Sequence, residues 1–222
     1  MRPPARRRKP FPVASLLAML AVLASPAAGA ASLVVRLQSM DGMAVPGAVI
    51  TARPLDATAR KAAAVHAVMD QVDRAFVPDL LVVSVGSTVA FPNSDSISHQ
   101  IYSFSNAKRF QLPLYRGTPY PPVLFDQAGV VTLGCNIHDE MLAYLVVTDA
   151  PYFGRTDAAG SWSADLGPGR YRITIWHPRL HSDGADLERE LTVGSDDRAE
   201  ITVRLAKPLA PAPVNRPHSW DY

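Results

Sequence analysis

The stretch GCNIHDEM, residues 134–141, carries Cys135, the single cysteine of the chain, with His138 and Met141 close behind it. A thiolate, an imidazole and a thioether suit a copper ion that cycles between Cu(I) and Cu(II). Cysteine and methionine favour Cu(I), while imidazole serves both states. Zinc fits less well, since it has no need of the methionine. Taken singly, each residue has a plainer reading: Cys135 as an inert buried thiol, Met141 as a core residue of the following strand. One short loop cannot surround a metal, so a further ligand must come from elsewhere. The six histidines are His66, His99, His138, His177, His181 and His218. His99 lies in VAFPNSDSISHQIYSFS, just after a β-rich run and a turn-forming stretch, and can return across a sandwich to face the Cys135 loop. His66 sits in a segment of ambiguous pattern, His177 and His181 in a later region, and His218 in the tail.

The elements that must hold these residues read as strands and turns. SLVVRLQSMDGMAVPGAVITARP (32–54) gives two β-rich runs joined through the turn formers Asp41-Gly42 and Pro46-Gly47. In TARKAAAVHAVMDQVDRAF (58–76), Val65, Val68, Met69, Val72 and Phe76 recur at helical spacing, yet Pro78 follows and a strand is equally open. LLVVSVGSTVAFPN (80–93) reads as a hairpin around Gly86. GVVTLGC and MLAYLVVTD are two strands connected by the ligand loop. Beyond Pro151, turn signals at Ala159-Gly160 and Gly167-Pro168-Gly169 precede a strand over 170–176, and RAEITVRLA alternates like another. The end, KPLAPAPVNRPHSWDY (207–222), has no periodicity and reads as a mobile tail or spacer. The class expected is all-β, with short strands at sandwich-like spacing.

Residues 1–30 read as a cleavable export signal. Arg2, Arg6, Arg7, Arg8 and Lys9 form a basic head, residues 13–24 are almost wholly apolar, and Ala28-Gly29-Ala30 is a small-x-small cleavage site. As a helix the apolar run reaches about 18 Å, short of a hydrocarbon core of about 30 Å. The expected location is the periplasm or outside the cell, with no membrane association after cleavage. The whole chain has 22 Lys+Arg against 20 Asp+Glu. Removing five cations and no acid leaves 17 against 20, a net of −3, so charge recommends no nucleic-acid partner. In an oxidising compartment a lone thiol is a liability unless buried or bound.

GSTVAFPNSDSISHQIYSF followed by FDQAGVVTLGCNIHDEMLAYLVV resembles the cupredoxins, the small blue-copper β-sandwiches that include plastocyanin, pseudoazurin and amicyanin. The shared pattern is a Gly-x-x-Val-x-Phe strand, an Asn, a first histidine, then a Phe-x-x-x-Gly turn (Phe125, Gly129) leading to the cysteine strand. The Cys-x-x-His-x-x-Met spacing is similar to amicyanin's short ligand loop. The resemblance covers residues 65–149 and is strongest to exported proteins of the "methylamine utilization protein" type. It implies a Greek-key β-sandwich in which His99, Cys135, His138 and Met141 hold one copper ion. Two positions depart from the pattern. Gln100 stands where Asn commonly follows the first histidine, and Leu133 stands where an aromatic residue is usual.

TDAAGSWSADLGPGRYRITIWHP (156–178) resembles a second family, the carboxypeptidase regulatory-like or transthyretin-like sandwich, through Thr156, Asp157, Gly160, Pro168, Gly169 and Tyr171. DGMAVPGAVIT (41–51) is similar to that family's opening. The expectation is a small sandwich built from 32–56 and 151–206 with the copper module inserted in it. The rival arrangement gives the N-terminal strands to the copper module.

The function implied is electron transfer with a redox partner protein such as a cytochrome c or a periplasmic dehydrogenase. The alternative is a copper chaperone or a structural copper protein without redox turnover. An enzyme is not expected, because Gly134 and Asn136 flank Cys135 where a blue centre wired to a second copper site has a histidine, and no paired-histidine cluster occurs. The resemblance makes His138 the electron port, with Asp139 and Glu140 beside it either steering a basic partner or merely solvating the loop.

Overall fold

The structure is a computed structural model that describes residues 31–56, 61–180, 187–195 and 198–212. The expected signal, His181, His218 and the end of the tail lie outside these residues. Among the described residues there are strands and no helix. Two strands come first, β1 (Ser32–Gln38) and β2 (Val49–Pro54). Then follow β3 (His66–Val68), β4 (Asp70–Val72), β5 (Ala75–Val77), β6 (Leu80–Ser84), β7 (Ser87–Ala90), β8 (His99–Ser105), β9 (Lys108–Tyr115), β10 (Val123–Phe125), β11 (Gly129–Gly134) and β12 (Leu142–Thr148). The last are β13 (Tyr152–Arg155), β14 (Ser161–Asp165), β15 (Gly169–Trp176), β16 (Leu187–Val193) and β17 (Arg198–Arg204).

Side chains alternate across a strand, and that alternation sorts the chain into two cores. The first core lies between the sheets β14-β1-β17 and β13-β2-β15-β16. Leu33, Val35 and Leu37 of β1 meet Ile50 and Ala52 of β2, and Tyr171, Ile173 and Ile175 of β15. The second lies inside the sheets β6-β12-β11-β8-β9 and β10-β7-β3, with the β4-β5 hairpin at one end. Val83, Val89, Ile101, Phe125, Val131, Leu133, Ala143, Leu145 and Val147 fill it.

The intervening positions of β6 and β12 face the other way and join the sandwiches. Leu80, Val82, Tyr144 and Val146 pack on Val49 and Trp176 of the first unit. Tyr144 and Trp176 meet edge-on at 5.4 Å, and Arg53 pairs with Asp149 beside them. This is why β12 is apolar at nearly every position: both of its faces are covered.

Three local expectations resolve here. The run 80–93 is not a hairpin. β6 pairs parallel with β12, whereas β7 pairs with β10 and β3 in the opposite sheet. Gly86, at φ +92°, turns the chain across the sandwich. Buried Ser84 and Ser87 hold the corner, their hydroxyls bonding each other, the Ala63 carbonyl and the Val65 N–H. Over its described residues, 61–76, the ambiguous run is extended, giving β3, β4 and β5, because Met69, Gln71 and Phe76 are buried in strand register. The tail begins docked: Leu209 packs on the first core, and Ala210 exchanges main-chain and side-chain hydrogen bonds with Arg179.

Candidate metal centre

The ligand loop is aimed by the strands on either side of it. Along β11, Val131 and Leu133 point inward, and Cys135, the next in that register, is 2 % exposed. Met141 precedes Ala143 and Leu145 on the inward face of β12 and is 1 % exposed. The two strands pair up to Gly134↔Leu142. The Cys135 N–H then donates to the Met141 carbonyl (3.3 Å), and the Met141 N–H donates to that of His138 (3.0 Å). The loop is therefore a closed turn with both sulfur residues in the core and His138, half-buried, at its bend.

His99 arrives from the first residue of β8, sharing an inward face with Ile101 and Ser103. A bulge between His99 and Ile101 re-aims the strand end. The preceding turn is pinned by Asn93, whose amide donates to the carbonyls of Ile97 (3.0 Å) and Tyr115 (2.7 Å). His99 is wholly buried, with Nδ1 3.9 Å from Cys135 Sγ and Nε2 2.9 Å from Asp95 Oδ2. Its ring stands edge-on to that of His138, with centroids 5.0 Å apart. One ligand atom from each of His99, Cys135 and His138 lies within 4.8 Å of the other two.

The donor set fits a metal. His138 Nδ1 is buried without a hydrogen-bond partner, a costly arrangement unless something else binds that lone pair. Burial first, and then the neighbouring His99, lowers the His138 pKa from its ordinary value, which keeps the imidazole neutral as a metal ligand requires. The Asp95 carboxyl is held at about 2, mainly by its hydrogen bond with His99 and further by main-chain N–H groups of Arg74 and Ser96. Sulfur and imidazole donors in a dry pocket suit copper, and Met141 adds a thioether to the same core.

The other described histidines, His66 and His177, stand apart from this group. His66 is exposed on β3 and bonds Thr88 Oγ1. His177 is buried in the other half of the molecule, where Nδ1 accepts from the Arg179 N–H (3.1 Å) and the ring also bonds the Pro46 main chain. Of the two departures, Leu133 is a filled core position. The ring of Tyr102 lies against Gly134, where an added Cβ would meet its far end at 2.8 Å. Sequence reasoning missed Tyr102 and Asp95. The acid four residues before His99, in NSDSISH, was the available signal for the second.

No protein-family model matches the sequence, and no curated protein matches it. Solved structures do. A purple cupredoxin from Nitrosopumilus maritimus is 24 % identical over 37 % of this chain and 99 % of its own, with a TM-score of 0.33. A reduced amicyanin variant is 21 % identical over 44 % of this chain and 99 % of its own, at 0.34. A copper-containing nitrite reductase from Thermus scotoductus is 21 % identical over 43 % of this chain, which spans a quarter of the reductase, at 0.36. These likenesses cover less than half of the chain, and the case for a metal rests on the ligand geometry.

Proposed function

We propose that this protein is a periplasmic type 1 (blue) copper electron carrier in which His99, Cys135, His138 and Met141 hold one copper ion. The observation that supports it is the convergence of two imidazoles and a thiolate within 4.8 Å, at the end of an apolar core that also buries Met141. A bound copper ion would supply one-electron chemistry between Cu(II) and Cu(I). The chain supplies a rigid donor set on two hydrogen-bonded loops. Four donors leave no position for a substrate, which favours a carrier over an enzyme. Burial of Cys135, His99 and Met141 speaks against an open chaperone site built for rapid metal exchange. His138, the half-buried ligand, is the route for electrons to a partner with a basic docking face, such as a cytochrome c or a dehydrogenase.

The same reading has the copper module, residues 65–149, inserted in a regulatory-like sandwich made from 32–56 and 151–206. The pairing of β1 with β17 and of β2 with β15 favours it. The joint between the units covers the outer face of β6 and β12, leaving the His138 end for docking.

Adding Cu(II) to the purified mature protein tests the site. An intense blue thiolate-to-copper band, bleached by ascorbate and restored by an oxidant, is the expected result. A colourless or faintly coloured complex would remove the electron-carrier reading.

A further inference from the structure

We propose that Asp95 is the positioning residue of the centre: its carboxylate holds His99 with Nε2 protonated, so that the bare Nδ1 faces Cys135, and sets a fixed negative charge behind that ligand. The inference rests on the copper reading for its redox consequence, but not for its geometry.

The carboxylate is itself anchored. Oδ2 accepts from His99 Nε2 (2.9 Å) and from the Arg74 N–H (2.8 Å), and Oδ1 accepts from the Ser96 N–H (2.7 Å). The Asp95 N–H donates to Asn93 Oδ1 (3.0 Å), which ties the same turn to β9. The side chain is 9 % exposed and that of His99 is 0 % exposed, so water does not compete for the imidazole proton. The Arg74 amide comes from the two-residue turn of the β4-β5 hairpin. Asp73 and Arg74 both have positive φ there, 49° and 59°, the primed geometry that matches strand twist. The hairpin thereby acts as a bracket: Arg74 fixes Asp95, and Asp95 fixes His99.

An imidazole that donates one nitrogen to a carboxylate must offer the other as a lone pair. A carboxylate behind a ligating histidine also raises its basicity, and outer-shell partners of this kind govern metal affinity about 10–100-fold. A negative charge at that place favours the more highly charged Cu(II) and lowers the reduction potential.

The test compares wild type with Asp95→Asn and Asp95→Glu. In metal-free wild type, imidazole nitrogen NMR in mildly alkaline buffer should show His99 as the Nε2–H tautomer. The Nδ1–H tautomer would overturn the proposal, whatever becomes of the variants. In copper-loaded protein, Asp95→Asn should keep the blue band, weaken Cu(II) about 10–100-fold and raise the potential. Asp95→Glu should recover part of both. Unchanged affinity and potential in Asp95→Asn would reduce Asp95 to a turn residue. A wild type that binds copper without turning blue sinks the electron-carrier reading instead, and the tautomer of the metal-free protein still decides this one.

Discussion

In the core between β1, β2 and β14–β17, the buried histidine is His177, and its ring is occupied by main-chain partners on both sides. In the core between β3 and β12, His99 has one nitrogen on a carboxylate and the other toward a thiol, while His138 has an Nδ1 with no partner at all. Both units bury aliphatic side chains by the same period-two alternation, and both are antiparallel-rich sandwiches. What separates them is the end of the sandwich. Among the described residues, the buried histidine of the first unit is satisfied by main-chain groups; the second unit brings His99, Cys135 and His138 to a common point. A sandwich is thus neutral as to chemistry, and its loops decide it.

The sharpest way to break this contrast is to remove one sulfur. Cys135→Ala should abolish the blue band outright, since the charge-transfer donor is gone; a variant that stays blue would contradict the site. The counterpart in the other core is Ile173→Ala. Deleting that wholly buried side chain should cost about 2–5 kcal/mol in denaturant unfolding and leave the copper spectrum as it was. Colour loss without unfolding in Ile173→Ala would mean that the two units share a site.

Met141→Leu conserves apolar volume while removing the thioether. Copper should be retained with a higher reduction potential, because a weak donor to Cu(II) is lost. An equal potential in the two proteins would assign Met141 to the core alone.

The histidines predict a smaller difference, in acid. Burial, followed by the charges of Arg179 and Arg155, holds the His177 pKa below its ordinary 6.5. The unfolded chain therefore takes up a proton that the folded chain resists. The contribution of neutral His177 to stability is complete above pH 6.5 and is lost as pH falls through the lower folded-state value. Thermal melts of wild type and His177→Gln should converge on acidification, with the copper band of the variant intact at neutral pH. Parallel melts would show that this histidine is not what titrates.

The smallest effect concerns docking. Asp139 is exposed beside His138, whereas Glu140 is half-buried. Asp139→Lys should slow electron transfer to a basic cytochrome at low salt by a modest factor that vanishes as salt is added, because screening acts over about 10 Å at 0.1 M. Rates indifferent to both changes would place docking on another surface.

Much of this was open to reading before any fold was known. The all-β class followed from β-branched runs punctuated by Gly and Pro. The donors Cys135, His138 and Met141 were apparent because they share one short loop, and the inward aim of Cys135 and Met141 follows from continuing the alternation of β11 and β12. Local pattern could carry no further. Whether the described part of the ambiguous run, 61–76, coils or extends was settled by the burial of Met69, Gln71 and Phe76 against distant strands. The chain around Gly86 looked like a hairpin because sequence records a turn but not the sheet each arm will join; β6 and β7 found better partners in opposite sheets. The meeting of His99 with Cys135, the carboxylate of Asp95 behind it and the Arg74 amide behind that depend on contacts made across the sandwich. Composition and spacing determine which groups can bind a metal. Only long-range packing, which fixes where strand ends lie in space, determines that they converge.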